Sequence, residues 1–200
     1  MSTLLHQGDT RRRIACLVTE VMSPVVLIVV VSLIVAVHSA GAGRGLALGL
    51  VAVFFVGGFP YALVLIGVRR GLLTDHHISR REQRPRIMAI ALASAVAGLV
   101  VLRWLDAPRA LFALLAAMVA GVAVALAVTS FWKISIHAAS AAGTVACLAI
   151  LVSPWWLVLV PSVVLTGWAR VEIRDHTPIQ VTVGAIVGAV VAAGVLLLVA

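Results

Sequence analysis

The stretch ALFALLAAMVAGVAVALAVTSF, residues 110–131, decides the fold because it contains no charged side chain along its whole length. A helix needs roughly 20 mostly apolar residues to cross the hydrocarbon core of a membrane. The rest of the chain repeats this character, since 63% of the 200 residues are hydrophobic and 11% are charged. Soluble domains contain about 45–50% apolar and about 25% charged residues. The sequence therefore predicts a protein that crosses a membrane several times.

Apolar runs follow one another along most of the chain. They cover residues 21–40, 46–68, 87–105, 110–131, 138–152, 155–168 and 179–200. Two of them are short for spans, so we expect six or seven transmembrane helices. They form one domain, residues 21–200, after a polar and basic segment, residues 1–20. A helix satisfies its own backbone hydrogen bonds in lipid, and the period-two alternation of a membrane β-barrel is missing. The predicted fold is an all-α, polytopic helix bundle.

The basic residues are distributed unevenly between the two sides of such a bundle. If every run spans, one side holds Arg11, Arg12, Arg13, Arg69, Arg70, Arg80, Arg81, Arg84, Arg86, Lys133, Arg170 and Arg174, and the other holds Arg44, Arg103 and Arg109. Basic residues are more abundant in cytoplasmic loops, so the first side is predicted to be cytoplasmic. Anionic lipid head groups explain the net charge of +8 better than nucleic acid does, because the basic residues lie in short loops.

Small and aromatic residues indicate how the helices pack and where they end. Gly45 and Gly49, and also Gly184 and Gly188, form GxxxG patterns, which permit close helix packing. The tryptophans lie at the ends of apolar runs, where such rings settle at the membrane interface: Trp104, Trp132, Trp155, Trp156 and Trp168.

Polar clusters interrupt the apolar chain at three places on the predicted cytoplasmic side. They read TDHHISRREQRPRI (74–87), WKISIHAA (132–139) and WARVEIRDHTPIQVTVGA (168–185). Each abuts the end of an apolar run, so all three can converge in the head-group region. The alternative interpretation is a set of solvated loops whose arginines meet anionic lipid.

The first two clusters contain possible anion-binding residues at helix starts. Pro85 suits a first helical position, which would place Arg84 beside amide groups that favour anions. Ser135 is predicted to cap the helix that follows it. His137 lies two residues later, where an ionisable side chain at membrane depth is costly and becomes a functional candidate. A lone histidine near the end of a span can also be unremarkable.

The third cluster combines a helix start with a phosphate-binding pattern. Thr177 and Pro178 suit an N-cap and a first helical position, and Gln180 completes a Thr-x-x-Gln capping box. His176 directly precedes this cap, and Arg170 lies six residues earlier. Arginine can hold a phosphate through two hydrogen bonds, and a neutral imidazole can act as a nucleophile.

Together these residues resemble the type 2 phosphatidic acid phosphatases (the PAP2 superfamily). The order here is His77-x6-Arg84-Pro85, Ser135-x-His137 and Arg170-x5-His176-x3-Gln180. The family pattern is Lys-x6-Arg-Pro, then Pro-Ser-Gly-His, then Ser-Arg-x5-His-x3-Asp. The resemblance covers about residues 77–180 and includes both histidines and both arginines of the pattern.

This chain departs from the family pattern at five positions. The replacements are His77 for lysine, Ile134 for proline, Ile136 for glycine, Ala169 for serine and Gln180 for aspartate. The last matters most, because a glutamine oxygen can accept an imidazole N–H but cannot stabilise an imidazolium by charge. In the serine-protease triad, losing the corresponding aspartate costs about 10⁴-fold.

The resemblance implies a metal-independent membrane lipid phosphatase without a cofactor. His176 would attack phosphorus to form a phosphohistidine, and His137 would protonate the leaving oxygen. Arg84, Arg170 and Ser135 would bind the phosphoryl oxygens, with His77 doing part of the work of the missing lysine and Gln180 standing in the position of the orienting aspartate. The substrate would be a phosphorylated membrane lipid, either an isoprenoid or a glycerophospholipid phosphate or diphosphate.

The residues themselves agree with chemistry that uses no metal. The seven carboxylates contain no paired Asp-rich motif of the kind that holds Mg²⁺, and Cys16 and Cys147 lack the spacing of a zinc site or a disulfide framework.

Two other hypotheses stay open. The chain could be a catalytically impaired relative that binds phosphorylated lipid or a membrane partner, as the changes at His77 and Gln180 suggest. It could also be a small transporter or assembly subunit, although its apolar runs carry almost no charge that would mark a translocation pathway. The sequence leaves the oligomeric state open.

Overall fold

The structure is a computed structural model and describes residues 2–72 and 84–199, with side chains described for 10–72 and 86–199. Within those ranges the regular structure is entirely helical. The helices are α1 (Ser2–Val21), α2 (Pro24–Ala40), α3 (Ala42–Val53), α4 (Phe59–Arg69), α5 (Arg84–Trp104), α6 (Arg109–Phe131), α7 (Ile136–Leu151), α8 (Val160–Glu172) and α9 (Pro178–Val199). A π-helical turn, Phe54–Gly58, joins α3 to α4, and a 3₁₀ turn, Pro154–Leu159, precedes α8.

Several of these helices are long and apolar enough to cross a membrane. In the described part of the chain they are Ala42–Arg69, Arg86–Trp104, Arg109–Phe131, Pro154–Glu172 and Pro178–Val199. A sixth span is possible if α1 and α2 act together, since Thr10–Val21 and Pro24–Ala40 form a pair bent by 44°. The predicted all-helical, multi-pass membrane protein is therefore confirmed. Length alone supports five or six spans where we expected six or seven, because α7 has only 16 residues.

Glycines allow two pairs of helices to pack with their backbones almost in contact. A Cβ atom on Gly184 would lie 2.6 Å from the carbonyl oxygen of Ser135, and one on Gly188 would lie 2.1 Å from that of Ala139. A Cβ atom on Gly45 would lie 2.5 Å from the carbonyl oxygen of Ala36. The predicted close packing is confirmed, and it joins α9 to α7 and α3 to α2.

The π-helical turn lies within one long helical stretch, Ala42–Arg69. The Phe59 amide donates to the Phe54 carbonyl, which is the spacing of a π turn. The Phe55 carbonyl accepts a 2.6 Å hydrogen bond from the Ser94 hydroxyl of α5. A Cβ atom on Gly98 would lie 2.7 Å from the Phe55 Cβ, so α5 packs directly on the turn. This contact fixes the orientation of α4.

Three arginines predicted to share one side of the membrane gather at one end of the bundle. Arg44 donates through Nη2 to the carbonyl oxygens of Leu105 at 3.2 Å and Asp106 at 2.8 Å. Arg103 Nη1 lies 3.6 Å from Asp106 Oδ1. Arg109 Nε donates to the Val199 carbonyl at 2.8 Å, so α9 ends here and begins at the opposite end. The polar clusters at residues 132–139 and 168–185 lie at that opposite end, and its assignment to the cytoplasm stays a prediction.

Candidate functional site

A tight turn after α8 brings residues 175 and 176 back onto Arg170. Helix α8 ends at Glu172, and Arg174 then adopts a left-handed conformation with a φ of 60°. The amide groups of Asp175 and His176 each donate to the carbonyl oxygen of Arg170 at 3.2 Å. The residues from Arg170 to His176 therefore form one closed turn, which places the side chains of these two residues on the same side.

The capping box at the start of α9 forms as predicted. The Thr177 amide donates to Gln180 Oε1 at 3.1 Å, and the Gln180 amide donates to Thr177 Oγ1 at 3.3 Å. The Gln180 side-chain oxygen is thus engaged at the helix start. Gln180 therefore acts as a helix cap. Asp175, not Gln180, lies beside the His176 ring.

The start of α7 is tied to the start of α9. Ser135 Oγ accepts from the Ala138 amide at 3.4 Å, which confirms the predicted N-cap. The Ser135 amide donates to the Gln180 carbonyl at 3.3 Å. Together with the contact between Gly184 and Ser135, this bond fixes His137, the second residue of α7, relative to the turn that carries His176.

A cavity of about 410 Å³ lies where these helix ends meet. Its walls include His137, Arg170 and His176, whose exposed fractions are only 6%, 3% and 7%. Apolar side chains of α2, the π-helical turn, α4 and α5 form most of the remaining wall, with Tyr61 and Glu20 among the polar residues. Two histidines and an arginine from distant parts of the sequence therefore share one buried space.

Other predicted site residues lie outside the walls of this cavity or outside the described residues. Ser135 and Gln180 do not line the cavity; both support it through caps and backbone contacts. Arg84 is the first residue of α5, as Pro85 predicted, and it precedes Ala91, a residue of the cavity wall, by two helical turns. Its side chain is outside the described part, and so is the whole of His77.

Asp175 is the functional candidate that the sequence interpretation missed. Its Oδ2 pairs with Arg170 Nη2 and lies 3.7 Å from His176 Nδ1. Its Oδ1 lies 3.4 Å from Lys133 Nζ, which also donates to the Asp175 carbonyl. One carboxylate therefore stands among three side chains that can carry positive charge. Its place directly before His176 was visible in the sequence, but the turn that folds it onto Arg170 was not.

The donor set of the site suits an anion. Within residues whose side chains are described, no group of three or more His, Cys, Asp or Glu is placed to hold a metal ion. Arginine, lysine and histidine donate hydrogen bonds to phosphoryl oxygens. The arrangement can therefore bind a phosphate and present an imidazole to it.

A second cavity adjoins the first in the apolar part of the bundle. It has a volume of about 150 Å³ and shares the wall residues Ile28, Val56 and Ile136 with the first cavity. It follows α7 from Ile136 to Cys147, between α2, α6 and α9, a distance of about 16 Å at 1.5 Å per residue. Its walls are almost entirely apolar.

Comparisons of the chain with models of known protein families, with curated proteins and with solved structures find no match.

Proposed function

We propose that this protein is an integral-membrane lipid phosphatase that works without a metal ion, through a phosphohistidine at His176. The observation that carries the proposal is the meeting of His137, Arg170 and His176 on one buried cavity. Ionisable side chains near the membrane are costly and mark functional sites. These three supply a nucleophile, a proton donor and a binding group for phosphoryl oxygens.

The first chemical step transfers the phosphoryl group to the protein. His176 Nδ1 faces Asp175, so Nε2 is the atom that attacks phosphorus. An N–P bond forms while the P–O bond to the lipid breaks, and the His137 imidazolium gives its proton to the leaving oxygen. The products are the lipid alcohol, or a lipid monophosphate if the substrate is a diphosphate, and phosphohistidine.

The second step releases phosphate and restores the starting state. Water attacks the phosphorus, the N–P bond breaks, and His137 accepts the proton that the water loses. Inorganic phosphate leaves, His176 is neutral again and His137 is again protonated. A positioned acid and base of this kind contributes about 10²–10⁴-fold to the rate.

Arg170 is the binding group for the transferred phosphoryl in this mechanism. Phosphoryl transfer depends mainly on positioning and on stabilising the charge of the oxygens. The Arg170 guanidinium is almost fully buried, where its charge acts more strongly than in water. The side chain of Ser135 is used as a helix cap, so its main contribution is to hold His137 in place. The proposed binding of phosphoryl oxygens by Arg84 and His77 rests on the resemblance to the PAP2 pattern alone.

The adjoining cavities suggest a substrate with one hydrocarbon chain. An apolar cavity of about 150 Å³ can stay dry and admit a molecule the size of benzene, which is too little for two acyl chains. The second cavity extends about 16 Å from the histidines, roughly half the thickness of the hydrocarbon core. A lipid phosphate could thus place its phosphate in the first cavity and about the first six carbons of one chain in the second. An isoprenoid or other single-chain lipid has no second chain to accommodate.

A second candidate function is binding of phosphorylated lipid without turnover. The observation that favours it is the engagement of the Gln180 side chain by the Thr177 amide, because that oxygen is then unavailable to orient His176 as the family aspartate would. In this case the cavity would hold a lipid phosphate and release it unchanged.

Phosphate release by the purified protein tests the proposal. The wild type in detergent with EDTA is given phosphatidate, farnesyl phosphate and farnesyl diphosphate, and is compared with His176→Ala. We expect release by the wild type, fastest with the single-chain lipids, and loss of at least about 10²-fold in the variant. The matched control is His38→Ala, which removes an exposed histidine of α2 at the other end of that helix and should leave the rate unchanged.

A well-folded wild type that releases no phosphate from any of these lipids would contradict the proposal and favour the binding function. Retention of full activity by His176→Ala would contradict the phosphohistidine mechanism. If the wild type is inactive, the variant Gln180→Asp shows whether a carboxylate at that position restores turnover.

A further inference from the structure

The position of Asp175 supports an inference that rests on the proposed function and deepens it. We infer that Asp175 is the positioning residue of the site: its carboxylate orients the His176 ring and occupies the Arg170 guanidinium until a phosphate replaces it. The Asp175 carboxylate, one residue before the nucleophile, would then stabilise the His176 imidazolium by charge, which the uncharged Gln180 cannot do.

Both the main chain and the side chain of Asp175 hold it in this position. Its amide donates to the Arg170 carbonyl at 3.2 Å, and its carbonyl accepts from Lys133 Nζ. Its two carboxylate oxygens point to different partners, Oδ2 toward Arg170 and His176 and Oδ1 toward Lys133. The side chains of Arg170 and His176 are only 3% and 2% exposed. The carboxylate is therefore placed by several contacts among buried groups.

The carboxylate favours attack by the other nitrogen of the ring. Bond formation to phosphorus at Nε2 gives the His176 imidazole a positive charge. A carboxylate oxygen 3.7 Å from Nδ1 stabilises this charge and favours the ring orientation that keeps Nδ1 toward it. Gln180 is uncharged and its oxygen accepts from the Thr177 amide, so it cannot supply this stabilisation.

The same carboxylate opposes phosphate binding. An incoming phosphate is negative and needs the Arg170 guanidinium, with which Asp175 pairs. Two negative groups close together in a buried site repel each other strongly. Asp175 therefore lowers the affinity for phosphate while it raises the rate of the chemical step. These opposite effects distinguish a positioning residue from a residue that only supports the pocket.

The variant Asp175→Asn separates the two effects. For the lipid phosphate that the wild type hydrolyses fastest, we measure kcat, KM and the inhibition constant of inorganic phosphate. We expect kcat to fall roughly 10²-fold, within the range for a group that assists proton and charge transfer. We expect KM and the inhibition constant to fall several-fold, because Arg170 is no longer paired with a competing charge.

Glu172→Gln is the matched control, since it removes the same charge three residues earlier. Glu172 Oε2 pairs with Arg11 Nη2 at 3.1 Å, and the Arg11 side chain is 63% exposed. Loss of an exposed ion pair changes little, so kcat and the inhibition constant should match those of the wild type.

Two results would overturn the inference. One is a wild-type kcat in Asp175→Asn. The other is weaker phosphate binding together with a lower kcat, which would mean that Asp175 only shapes the pocket around Arg170. If Asp175→Asn does not fold, Asp175→Glu replaces it; that variant keeps the charge but moves the oxygens, so kcat should fall with the inhibition constant unchanged, and an unchanged kcat overturns the inference.

The inference can also fail separately from the proposed function. A wild type that turns over no lipid removes the proposed function. Equilibrium binding of inorganic phosphate to the wild type and to Asp175→Asn then decides the inference alone. Tighter binding by the variant would support the inference that Asp175 competes with phosphate for Arg170. Equal or weaker binding would overturn that inference.

Discussion

Arg174 is the residue whose backbone allows α8 to fold back into the site. Its φ of 60° lies in the left-handed region, which costs a residue with a Cβ about 1 kcal/mol and costs glycine little. Its side chain is exposed, so the arginine contributes little packing. The strain is located in the turn that sets the distance between Arg170 and His176.

Arg174→Gly should therefore stabilise the protein by up to about 1 kcal/mol, reduced by the greater freedom of glycine in the unfolded chain. Thermal unfolding in detergent measures the change. Arg174→Ala is the control, since it removes the same side chain but keeps the Cβ, and it should give no such gain. Equal unfolding temperatures for the two variants would show that the turn is not strained.

Residue types and spacing were enough to find part of the site. The pattern of Arg170, His176 and His137 predicted three side chains that do share a cavity. His137 and His176 each lie beside a helix start whose cap can be recognised, and Arg170 lies in the last turn of α8. Asp175 could not be predicted in the same way. Its role depends on a left-handed residue, and the sequence contains arginine at that position where glycine would have signalled the turn.

At the scale of helices, the contact between α7 and α9 holds the two histidines together. Gly188 allows the contact, because its missing side chain leaves room for the Ala139 carbonyl. Ser135, the N-cap of α7, lies one turn earlier and contacts Gly184 in the same way. Any group added here separates the helix that carries His137 from the helix that follows His176.

Gly188→Ala should lower both stability and activity. The added Cβ would lie 2.1 Å from the Ala139 carbonyl oxygen, so the helices must move apart, at a cost of about 1–3 kcal/mol for overpacking. Both the rate of phosphate release and the unfolding temperature should be lower than in the wild type. Gly194→Ala on the same helix meets nothing within 4 Å and should behave as the wild type; an unchanged Gly188→Ala would show that the helices are not in close contact.

Helix positions followed well from apolar runs, and their interruptions followed less well. The run at residues 46–68 predicted one span, and the structure has one, Ala42–Arg69, but with a π-helical turn at Phe54–Gly58 between α3 and α4. A π turn needs no proline or charge to form, so hydropathy does not reveal it. The segment before residue 21 was predicted only as polar and basic, whereas in the structure it forms α1 (Ser2–Val21).

At the scale of the whole molecule, the two adjoining cavities extend from the end of the bundle that holds the histidines into its apolar interior. Gly121 of α6 lies on the wall of the second cavity, and a Cβ atom there would meet nothing within 4 Å. The position offers space for a large side chain without moving a helix. It therefore provides a way to fill the second cavity and leave the first one intact.

Gly121→Leu should slow hydrolysis of farnesyl phosphate by about tenfold or more, since each buried methylene of the chain contributes roughly 0.8 kcal/mol. Hydrolysis of a short, water-soluble phosphate such as p-nitrophenyl phosphate should be unaffected, because it needs only the first cavity. The comparison of the two rates is the measurement. Gly194→Leu, which adds the same side chain at an exposed position, is the control, and equal loss with both substrates would contradict a hydrocarbon chain in the second cavity.

The π-helical turn has a consequence for how the sequence can change over time. Each residue advances a helix by about 100°, and a π turn holds one residue more than an α turn. A deletion within Phe54–Gly58 would therefore convert it to an α turn, whereas a further insertion would rotate all of α4 by that angle. Pro60, Tyr61 and Val64, which line the larger cavity, would then face elsewhere. A substitution in these five positions leaves the direction of α4 unchanged, although Val56 and Gly57 also line the larger cavity. Selection should accordingly preserve the length of this segment more strictly than the identity of its residues.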